Sequence, residues 1–394
     1  MQYQISDNVA SLKGSAIREI FKIIAQPDII SFGGGIPPSE VYPNGELANI
    51  AEDILKNDYI KALQYGVTEG YAPLAEKVTS RLNRQNIVKE KDSILIVTGG
   101  QQGIDLCSHV MLNRGDGVAV ECPSFVGGLN SFRSYGAKLY GIPVQDDGMD
   151  LDVLEDTLKK NDIKMIYTIP TFQNPTGITM SLEKRKRLLE LAKQYNVLIL
   201  EDNPYGELRF SGEDIPTIKS LDDEGYVLYV GSFSKILSPG LRVGFVCGSS
   251  ELTGRMTVVK QVTDVHTPML TQMMVNNFLE QYNIDEYIER SCKICGDRCA
   301  TMIRCFEEMV PDFVEFTRPN GGIFIWATIK RDVDAADLVK KCVGKKVAFV
   351  PGSAAMYDET IISPSFRLNY STVNEEKIEQ GMKILADTIK AEIK

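Results

Sequence analysis

The amino-acid sequence predicts an α/β protein with a mainly parallel sheet that helices cover on both faces. Short, nearly continuous apolar runs recur through the middle of the chain, namely "SILIVT", "GVAVEC", "IKMIYTI", "NVLILED", "YVLYVGS" and "RVGFVC". Strands that are apolar on both faces are typical of a buried parallel sheet, and helical patterns separate these runs. The alternation of the two patterns predicts the fold class.

The segment "SLEKRKRLLELAKQY" shows one of these helices in detail. Its apolar positions follow the spacing i, i+3, i+4, i+7, which is typical of an amphipathic helix. They are Leu188, Leu191, Ala192 and Tyr195. We expect the run "EKRKR", residues 183–187, to be a solvated face of this helix and not a nucleic-acid patch.

The pattern changes near residue 285 and predicts a second, smaller α+β unit. A long helical stretch is followed by the short apolar runs "FVEF", "GGIFIWATI", "VAFVP" and "SFRLNYS", and then by a final amphipathic helix. Residues 1–45 contain no sheet of their own, so we expect them to join this unit. The expected boundaries are 1–45, 46–285 and 286–394. The apolar positions of the last helix are Ile378, Met382, Leu385 and Ile389.

Length and composition indicate an ordinary globular protein of roughly two domains. The chain has 394 residues, of which 43% are apolar and 24% charged, with a formal net charge of −10. This charge argues against general affinity for nucleic acid or anionic membrane. No apolar run approaches the ~20 residues that span a bilayer, and the first residues lack an apolar signal core, so a cytoplasmic protein is expected. The eight cysteines indicate reduced thiols.

Histidine and cysteine give little support for a metal site. The chain has two histidines, His109 and His266, which is too few for a multi-histidine centre. Cys292, Cys295 and Cys299 form C-x2-C-x3-C, but this spacing places them roughly on one face of a helix, and no clear fourth ligand follows. We expect these thiols to pack as small apolar residues. The chemistry is expected to come from lysine, carboxylates or a cofactor.

Polar residues follow the apolar runs, at the strand ends where open α/β sheets bind ligands. "SILIVT" leads to Gly99-Gly100-Gln101-Gln102-Gly103, and "IKMIYTIP" leads to "TFQNPTG". "NVLILED" ends in Asp202 and continues with Asn203-Pro204-Tyr205. "YVLYV" leads to Ser232, Ser234 and Lys235, with Arg242 beyond. Their gathering at one edge of the sheet predicts a ligand site.

These residue types suit one particular ligand. The glycine turn opens a helix whose free N–H groups favour an anion, although it matches neither GxGxxG nor the P-loop. Ser232, Ser234 and Arg242 add donors for a phosphate. Asp202 is costly at the end of a buried strand unless it meets a cation, and Lys235 could form a Schiff base. Together they describe a pyridoxal phosphate (PLP) site.

At these residues the sequence resembles the fold-type-I PLP-dependent class I/II aminotransferases. The motifs "NPTG", "DNPY", "SFSK…LRVG" and "FRLNYS" occur in the order of that family. The closest resemblance is to the kynurenine/2-aminoadipate subgroup, with its related aromatic and branched-chain aminotransferases. The resemblance implies a large domain with a mainly parallel seven-stranded sheet between helices, and a smaller α+β domain.

The resemblance also implies the catalytic roles. Lys235 would hold PLP as a Schiff base and, once substrate displaces it, would move the Cα proton. Asp202 would pair with the protonated pyridine nitrogen. Asn174 and Tyr205 would hydrogen-bond the phenolic oxygen of the cofactor, and Asn174 would also face the substrate.

Further binding residues follow from the same resemblance. Phe125 would stack on the PLP ring, where many relatives carry tyrosine. Arg367 would bind the substrate α-carboxylate in a bidentate pair, a geometry that lysine cannot reproduce. The residues assigned to the cofactor's phosphate and its surroundings are Gly100, Gln101, Gln102, Ser232, Ser234 and Arg242.

Tyr65 would reach the phosphate of the neighbouring subunit, which implies a homodimer with shared active sites. Arg18 and Gly34-Gly35 match an N-terminal segment that covers the substrate in this subgroup. The expected reaction is transfer of an amino group from an L-amino acid (aromatic, 2-aminoadipate or branched-chain) to a 2-oxo acid, with 2-oxoglutarate as the expected acceptor.

Two other functions share this fold. One keeps the cofactor and changes the reaction, as in a β-eliminating C–S lyase, an α-decarboxylase or a synthase. The other is the effector domain of a MocR-type transcription regulator, which follows a winged helix-turn-helix of considerable length. Because the aminotransferase resemblance begins near residue 13, we do not expect such a domain here.

Overall fold

The computed structural model describes residues 3–6 and 28–393. Within these ranges the strands form a large sheet, a four-stranded sheet and a two-stranded sheet. The strands are β1 (Ile30–Ser31), β2 (Asp92–Val97), β3 (Gly117–Cys122), β4 (Lys138–Gln145), β5 (Gly148–Met149), β6 (Ile163–Thr168), β7 (Leu198–Asp202), β8 (Val227–Ser232), β9 (Gly244–Ser249), β10 (Val314–Phe316), β11 (Phe324–Ile329), β12 (Val347–Ala348), β13 (Val350–Pro351) and β14 (Ser365–Asn369).

Helices connect most of these strands. They are α1 (Asn44–Asn57), α2 (Tyr59–Leu63), α3 (Ala72–Asn83), α4 (Gly100–Met111), α5 (Val126–Ser134), α6 (Leu151–Lys160), α7 (Leu182–Tyr195), α8 (Ile218–Leu221), α9 (Ser250–Thr263), α10 (Met269–Gln281), α11 (Ile284–Met309), α12 (Ala335–Gly344) and α13 (Glu375–Glu392). No helix of the described ranges is long and apolar enough to cross a membrane.

The large sheet has the strand order β2-β9-β8-β7-β6-β3-β4-β5. Strands β4, β3, β6, β7 and β8 pair in parallel, whereas β9 is antiparallel to both β8 and β2. The carboxyl ends of β2, β3, β6, β7 and β8 therefore lie at one edge. The predicted α/β class is confirmed, but the sheet has eight strands instead of seven, because the two-residue β5 pairs with the edge strand β4.

Both faces of this sheet are buried, as its apolar runs predict. Val118 and Val120 of β3 belong to one apolar cluster, while Ala119 between them belongs to the cluster on the other face. Successive side chains of a strand point to opposite faces, so one strand contributes to both clusters. The site-bearing strand ends therefore project from a rigid, doubly covered layer.

The C-terminal part of the chain forms the second layer beside the sheet. Strands β10, β11, β14 and β13 make an antiparallel sheet. Helices α11 and α13 bury apolar faces in the same core, including Cys295 and Cys299. The N-terminal strand β1 pairs in parallel with β12, which brings Ile30 opposite Val347.

One expectation about α7 is wrong in part. Glu183 and Lys186 of the run "EKRKR" are exposed, but Arg185 is fully buried. Its guanidinium donates hydrogen bonds to the backbone carbonyls of Met180, Pro170 and Pro216. The charge is tolerated in the interior because several carbonyls accept its N–H groups.

Candidate active site

A cavity of about 630 Å³ lies at the carboxyl edge of the large sheet, facing the antiparallel sheet. It gathers residues from widely separated parts of the sequence, as expected for strand ends that share one edge. The sequence-predicted residues that line it are Gly35, Gly100, Gln101, Phe125, Asn174, Asp202, Tyr205, Ser232, Ser234, Lys235, Arg242 and Arg367.

Two of the described predicted residues, Gln102 and Tyr65, do not line this cavity. Arg18 lies outside the described residues. Gln102 is behind the glycine turn, and Tyr65 is 81% exposed, with its ring against His266 at a centroid distance of 5.8 Å. Tyr65 therefore does not contribute to the cavity of its own chain.

Asp202 is the last residue of β7, and its carboxylate is buried beneath the cavity. Burial raises the pKa of Asp202 to about 7, while a hydrogen bond from Tyr167 and the charge of Lys235 act to lower it. The Tyr167 hydroxyl donates to Asp202 Oδ2 at 2.8 Å. A carboxylate in this position gains from a cation, which the protonated pyridine nitrogen of PLP would supply.

Lys235 follows β8 and is the amine of the cavity. Burial lowers the pKa of Lys235 to about 8, with the charges of Arg367 and Arg242 acting in the same direction. Its Nζ donates to the Gly35 carbonyl at 2.5 Å. A lowered pKa increases the neutral fraction of the amine near neutrality, which suits a nucleophile that attacks a carbonyl.

Asn174, Tyr205 and Arg367 form a buried hydrogen-bonded group. Asn174 Nδ2 donates to the Tyr205 hydroxyl at 3.3 Å, and Arg367 Nη1 donates to Asn174 Oδ1 at 3.0 Å. All three side chains are buried. Burial raises the pKa of the Tyr205 hydroxyl, so this group remains a neutral donor and acceptor.

Arg367 lies on β14 and presents its guanidinium to the cavity. Its Nη2 donates to the carbonyls of Gly33 and Gly34 at 2.8 and 3.3 Å, and its charge lies 4.1 Å from the centre of the Phe324 ring. Its Nε is buried and has no hydrogen-bond partner within the described residues. A buried N–H without a partner is costly, and a carboxylate ligand would satisfy it.

The glycine turn before α4 forms an anion cradle. Gly99 has a φ of 78°, which favours glycine, and a Cβ there would lie 2.3 Å from Arg242 Nη2. A Cβ on Gly244 would lie 2.9 Å from the Gly100 nitrogen. The missing side chains leave the first N–H groups of α4 close to Arg242, and a helix N-terminus beside a guanidinium suits a phosphate.

The serines of "GSFSK" lie beside this cradle. Ser232 Oγ donates to Ser234 Oγ at 2.9 Å and accepts from the Ser234 nitrogen at 3.1 Å. Arg242 has a left-handed φ of 54°, and its Nη2 donates to the Thr98 carbonyl at 3.1 Å. The cradle, the two hydroxyls and the guanidinium fit the phosphate of PLP.

Gln102 supports the turn from behind. Its Oε1 accepts from the Thr98 nitrogen at 2.8 Å and from Lys260 Nζ at 2.7 Å, while its Nε2 donates to Asp264 Oδ2 at 2.7 Å. The sequence analysis assigned Gln102 to the cofactor site, but its polar atoms hydrogen-bond to other groups of the protein. We therefore assign Gln102 to the support of the glycine turn.

Lys260 and Asp264 were missed by the sequence reasoning. Lys260 is fully buried in α9 and pairs with Asp264 at 2.9 Å. Asp264 also accepts from the Thr98 hydroxyl at 3.0 Å, so the pair contacts both ends of the glycine turn. The spacing i, i+4 of a lysine and an aspartate was visible in the sequence, but it is also typical of exposed helix faces.

Phe125 precedes α5 and lines the cavity, as the stacking assignment requires. Its ring packs over Gly127, where a Cβ would lie 2.4 Å from Phe125 Cζ. Other cavity residues had no role in the sequence interpretation. They are chiefly apolar and include Ile36, Ile104, Val126, Trp326 and Val350.

Comparison with known proteins shows the family of the chain. Residues 27–385 match the family described as aminotransferase class I and II. Aromatic-amino-acid aminotransferase 1 of Thermococcus litoralis is 40% identical over 99% of this chain and 94% of its own length.

Two solved structures are similar over nearly the full chain. The kynurenine aminotransferase of Pyrococcus horikoshii, in complex with PMP, kynurenine (KYN) and the product KYA, has a TM-score of 0.95 and 38% identity, with 99% of this chain and 98% of that one covered. The α-aminoadipate aminotransferase LysN of Thermus thermophilus, complexed with N-(5'-phosphopyridoxyl)-L-leucine, has a TM-score of 0.91 and 36% identity, with 98% and 97% covered. The chain therefore belongs to the class I and II aminotransferases and is a PLP-dependent transaminase of fold type I.

Proposed function

We propose that this aminotransferase takes its amino group from a large apolar or aromatic L-amino acid and passes it to 2-oxoglutarate. The observation that carries this proposal is the set of apolar side chains that line the cavity together with Arg367, here called the apolar wall. Ile36, Ile104 and Val126 lie on this wall, with Trp326 and Val350 from the antiparallel sheet. Such a surface gains free energy by covering an aromatic side chain.

The charges in the cavity support the same choice. The cations among its described lining residues are Lys235, Arg242 and Arg367. Lys235 is assigned to PLP and Arg242 to the phosphate, which leaves Arg367 for the α-carboxylate. A donor with a second carboxylate, such as 2-aminoadipate, would find no further described cation in the lining, and a branched-chain donor would fill less of the wall.

In the proposed reaction PLP supplies an electron sink that makes the Cα proton of the bound amino acid acidic. Arg367 orients the substrate through its α-carboxylate, and Lys235 Nζ accepts and returns the proton. Asp202 would keep the pyridine nitrogen of bound PLP protonated. Asn174 and Tyr205 would hydrogen-bond its phenolic oxygen, and Phe125 would stack on its ring.

We also propose that the active enzyme is a homodimer with shared sites. Exposed apolar side chains surround the exposed Tyr65, which is unusual for a free surface. Leu63 and Ile60 are each 68% exposed, Val67 is 63% and Tyr59 is 52% exposed. A second copy that covers this surface would bring Tyr65 to the phosphate of the partner's site.

The domain boundaries 1–45, 46–285 and 286–394 remain our proposal for the organisation of the chain. The pairing of β1 with β12 supports the assignment of the N-terminal segment to the smaller unit. The carbonyls of Gly33 and Gly35 contact Arg367 and Lys235, which supports a covering role for this segment. Arg18 is assigned to the same cover.

A cytoplasmic location is proposed from the state of the thiols. All eight cysteines are free, and six of them are buried. Proteins of oxidising compartments commonly use paired cysteines as disulfides, whereas reduced thiols are typical of the cytoplasm.

A panel of amino donors with 2-oxoglutarate tests the proposed substrate class. We expect the highest kcat/KM for phenylalanine, tyrosine or kynurenine, at least about tenfold above that for 2-aminoadipate or valine, since one buried aromatic side chain contributes ~2 kcal/mol. A preference for 2-aminoadipate or valine would contradict the proposal.

The same protein distinguishes transamination from C–S lyase chemistry. With a cysteine conjugate and no 2-oxo acid, a transaminase releases one equivalent of product 2-oxo acid per site and then stops. Continuous release of ammonia and pyruvate would instead identify a lyase.

A further inference from the structure

Tyr167 is a fully buried tyrosine whose hydroxyl donates to Asp202 Oδ2 at 2.8 Å. It is not among the residues that line the cavity, so any effect on a bound cofactor would pass through Asp202. We propose that Tyr167 is a positioning residue that holds the Asp202 carboxylate toward the pyridine nitrogen of PLP. This inference depends on the proposed role of Asp202.

The sheet register explains why these two side chains meet. Tyr167 lies opposite Leu200 across the parallel pair β6–β7. Leu200 and Asp202 are two residues apart on one strand, so their side chains share the face of Tyr167. A diagonal neighbour in a sheet is within reach of a long aromatic side chain. The hydroxyl therefore reaches the last residue of β7 without any distortion of the strands.

The ring of Tyr167 is fixed by α5. Phe132 packs edge-on against it at a centroid distance of 5.2 Å. A Cβ on Gly128 would lie 2.9 Å from the Tyr167 ring atoms Cε1 and Cζ, so glycine is required for this approach. Because Phe125 immediately precedes α5, one helix supports both the residue assigned to the cofactor ring and the tyrosine that holds Asp202.

Few other groups stabilise the ionised carboxylate of Asp202. Lys235 lies near enough for its charge to lower the pKa of Asp202, but its Nζ donates to the Gly35 carbonyl. Glu121 and Tyr205 are further titratable groups whose pKa values respond to Asp202. Loss of the Tyr167 hydroxyl would leave Oδ2 buried without its donor, and the carboxyl would then rotate or take up a proton.

The test compares Tyr167→Phe with a matched control, Tyr229→Phe. Tyr229 is also buried, lies on the neighbouring strand β8, and accepts a hydrogen bond from Asn203 Nδ2 at 3.1 Å. Each variant loses one buried hydroxyl, so both should lower the melting temperature. We expect only Tyr167→Phe to lower kcat, by about 10-fold to 100-fold, the factor typical of a hydrogen bond to an ionised group. KM should change less.

A measurement on the apoprotein tests the role of Tyr167 independently of the proposed function of the site. In protein labelled with ¹³C-aspartate, and with the Asp202 signal identified from Asp202→Asn, the pKa of Asp202 should rise in Tyr167→Phe and stay unchanged in Tyr229→Phe. If wild-type protein failed to attach PLP to Lys235, the proposed function would fail while this result could still stand. An unchanged Asp202 pKa in Tyr167→Phe would overturn the inference.

A double variant tests whether Tyr167 acts through Asp202. Adding Tyr167→Phe to Asp202→Asn should not reduce kcat further, because the carboxylate it positions is already gone. A multiplicative loss in the double variant, or equal kcat losses in the two tyrosine variants, would show that Tyr167 has only a structural role.

Discussion

Arg367 Nη1 lies 3.0 Å from Asn174 Oδ1, so the residue proposed to bind the substrate α-carboxylate also holds the residue proposed to bind the cofactor's phenolic oxygen. The two are 193 residues apart in the chain. Asn174 lies in the loop after β6 of the large sheet, and Arg367 lies on β14 of the antiparallel sheet. A substrate carboxylate at Arg367 would therefore act on Asn174 and, through it, on the cofactor oxygen that Asn174 and Tyr205 are proposed to bind. This relationship suggests that Arg367 has effects beyond the binding of a carboxylate.

Replacing Arg367 with lysine should raise KM for both the amino acid and the 2-oxo acid by about 100-fold, because a bidentate pair and the bond to Asn174 are lost together. Attachment of PLP to Lys235 should persist. Arg318→Lys is the control, since Arg318 is an exposed residue that pairs with Glu307. Equal KM values in Arg367→Lys and wild type would contradict the assignment.

The lowered pKa of Lys235 predicts a specific pH dependence. The neutral amine is the nucleophile, so the rate at which the apoprotein reacts with pyridoxal, which lacks the phosphate, should rise as the pH increases through about 8. Removal of the nearby charge in Arg242→Gln should move this midpoint to higher pH. A midpoint near the ordinary lysine value of 10.5 in wild-type protein would contradict the burial argument.

The sequence allowed the strand ends to be placed together, because apolar runs and intervening helices predict a parallel sheet whose carboxyl ends share an edge. That reasoning located Asp202, Lys235 and Asn174 correctly in one cavity. It did not show where each side chain points after the strand ends. Gln102 follows a glycine turn, and its amide is directed by Lys260 and Asp264, which are distant in sequence.

The burial and the partners of polar side chains were also not predicted from the sequence. Arg185 sits in a highly charged run and was expected in solvent, yet its N–H groups are satisfied by carbonyls of loops that the helix pattern does not reveal. Tyr167 looked like an ordinary strand residue of "IKMIYTI". Its role became visible only from the register of β6 on β7.

Lys260 should affect PLP binding without touching it. Lys260→Met removes the buried cation that holds Gln102 and Asp264 behind the glycine turn, so the dissociation constant of PLP should rise by about 10-fold, the effect of losing a hydrogen bond to a charged group. Trp326, the single tryptophan of the chain, lines the cavity and reports binding through its fluorescence.

The control for Lys260→Met is Lys293→Met, because Lys293 is exposed and pairs with Asp297. The affinity for pyridoxal should change little in Lys260→Met, since the turn is proposed to serve the phosphate. A loss of affinity that is equal for PLP and pyridoxal would argue for general destabilisation instead.

Leu63→Glu should separate the proposed dimer into monomers. The charged side chain would be buried against the partner, at a cost that exceeds the contribution of one leucine. Light scattering after gel filtration measures the mass, and Ile362→Glu, a change at a 70% exposed residue of another surface, should leave the dimer intact. A monomeric wild-type protein, or a dimer unaffected by Leu63→Glu, would disprove this interface.

The position of covalently attached PLP tests the central claim most directly. After borohydride reduction of the holoenzyme and proteolysis, mass spectrometry should find the cofactor on the peptide that contains Lys235, and Lys235→Ala should lack this adduct. Incubation with phenylalanine before reduction should remove the adduct and release one equivalent of phenylpyruvate per site. An adduct on another lysine, or one that persists in Lys235→Ala, would contradict the account.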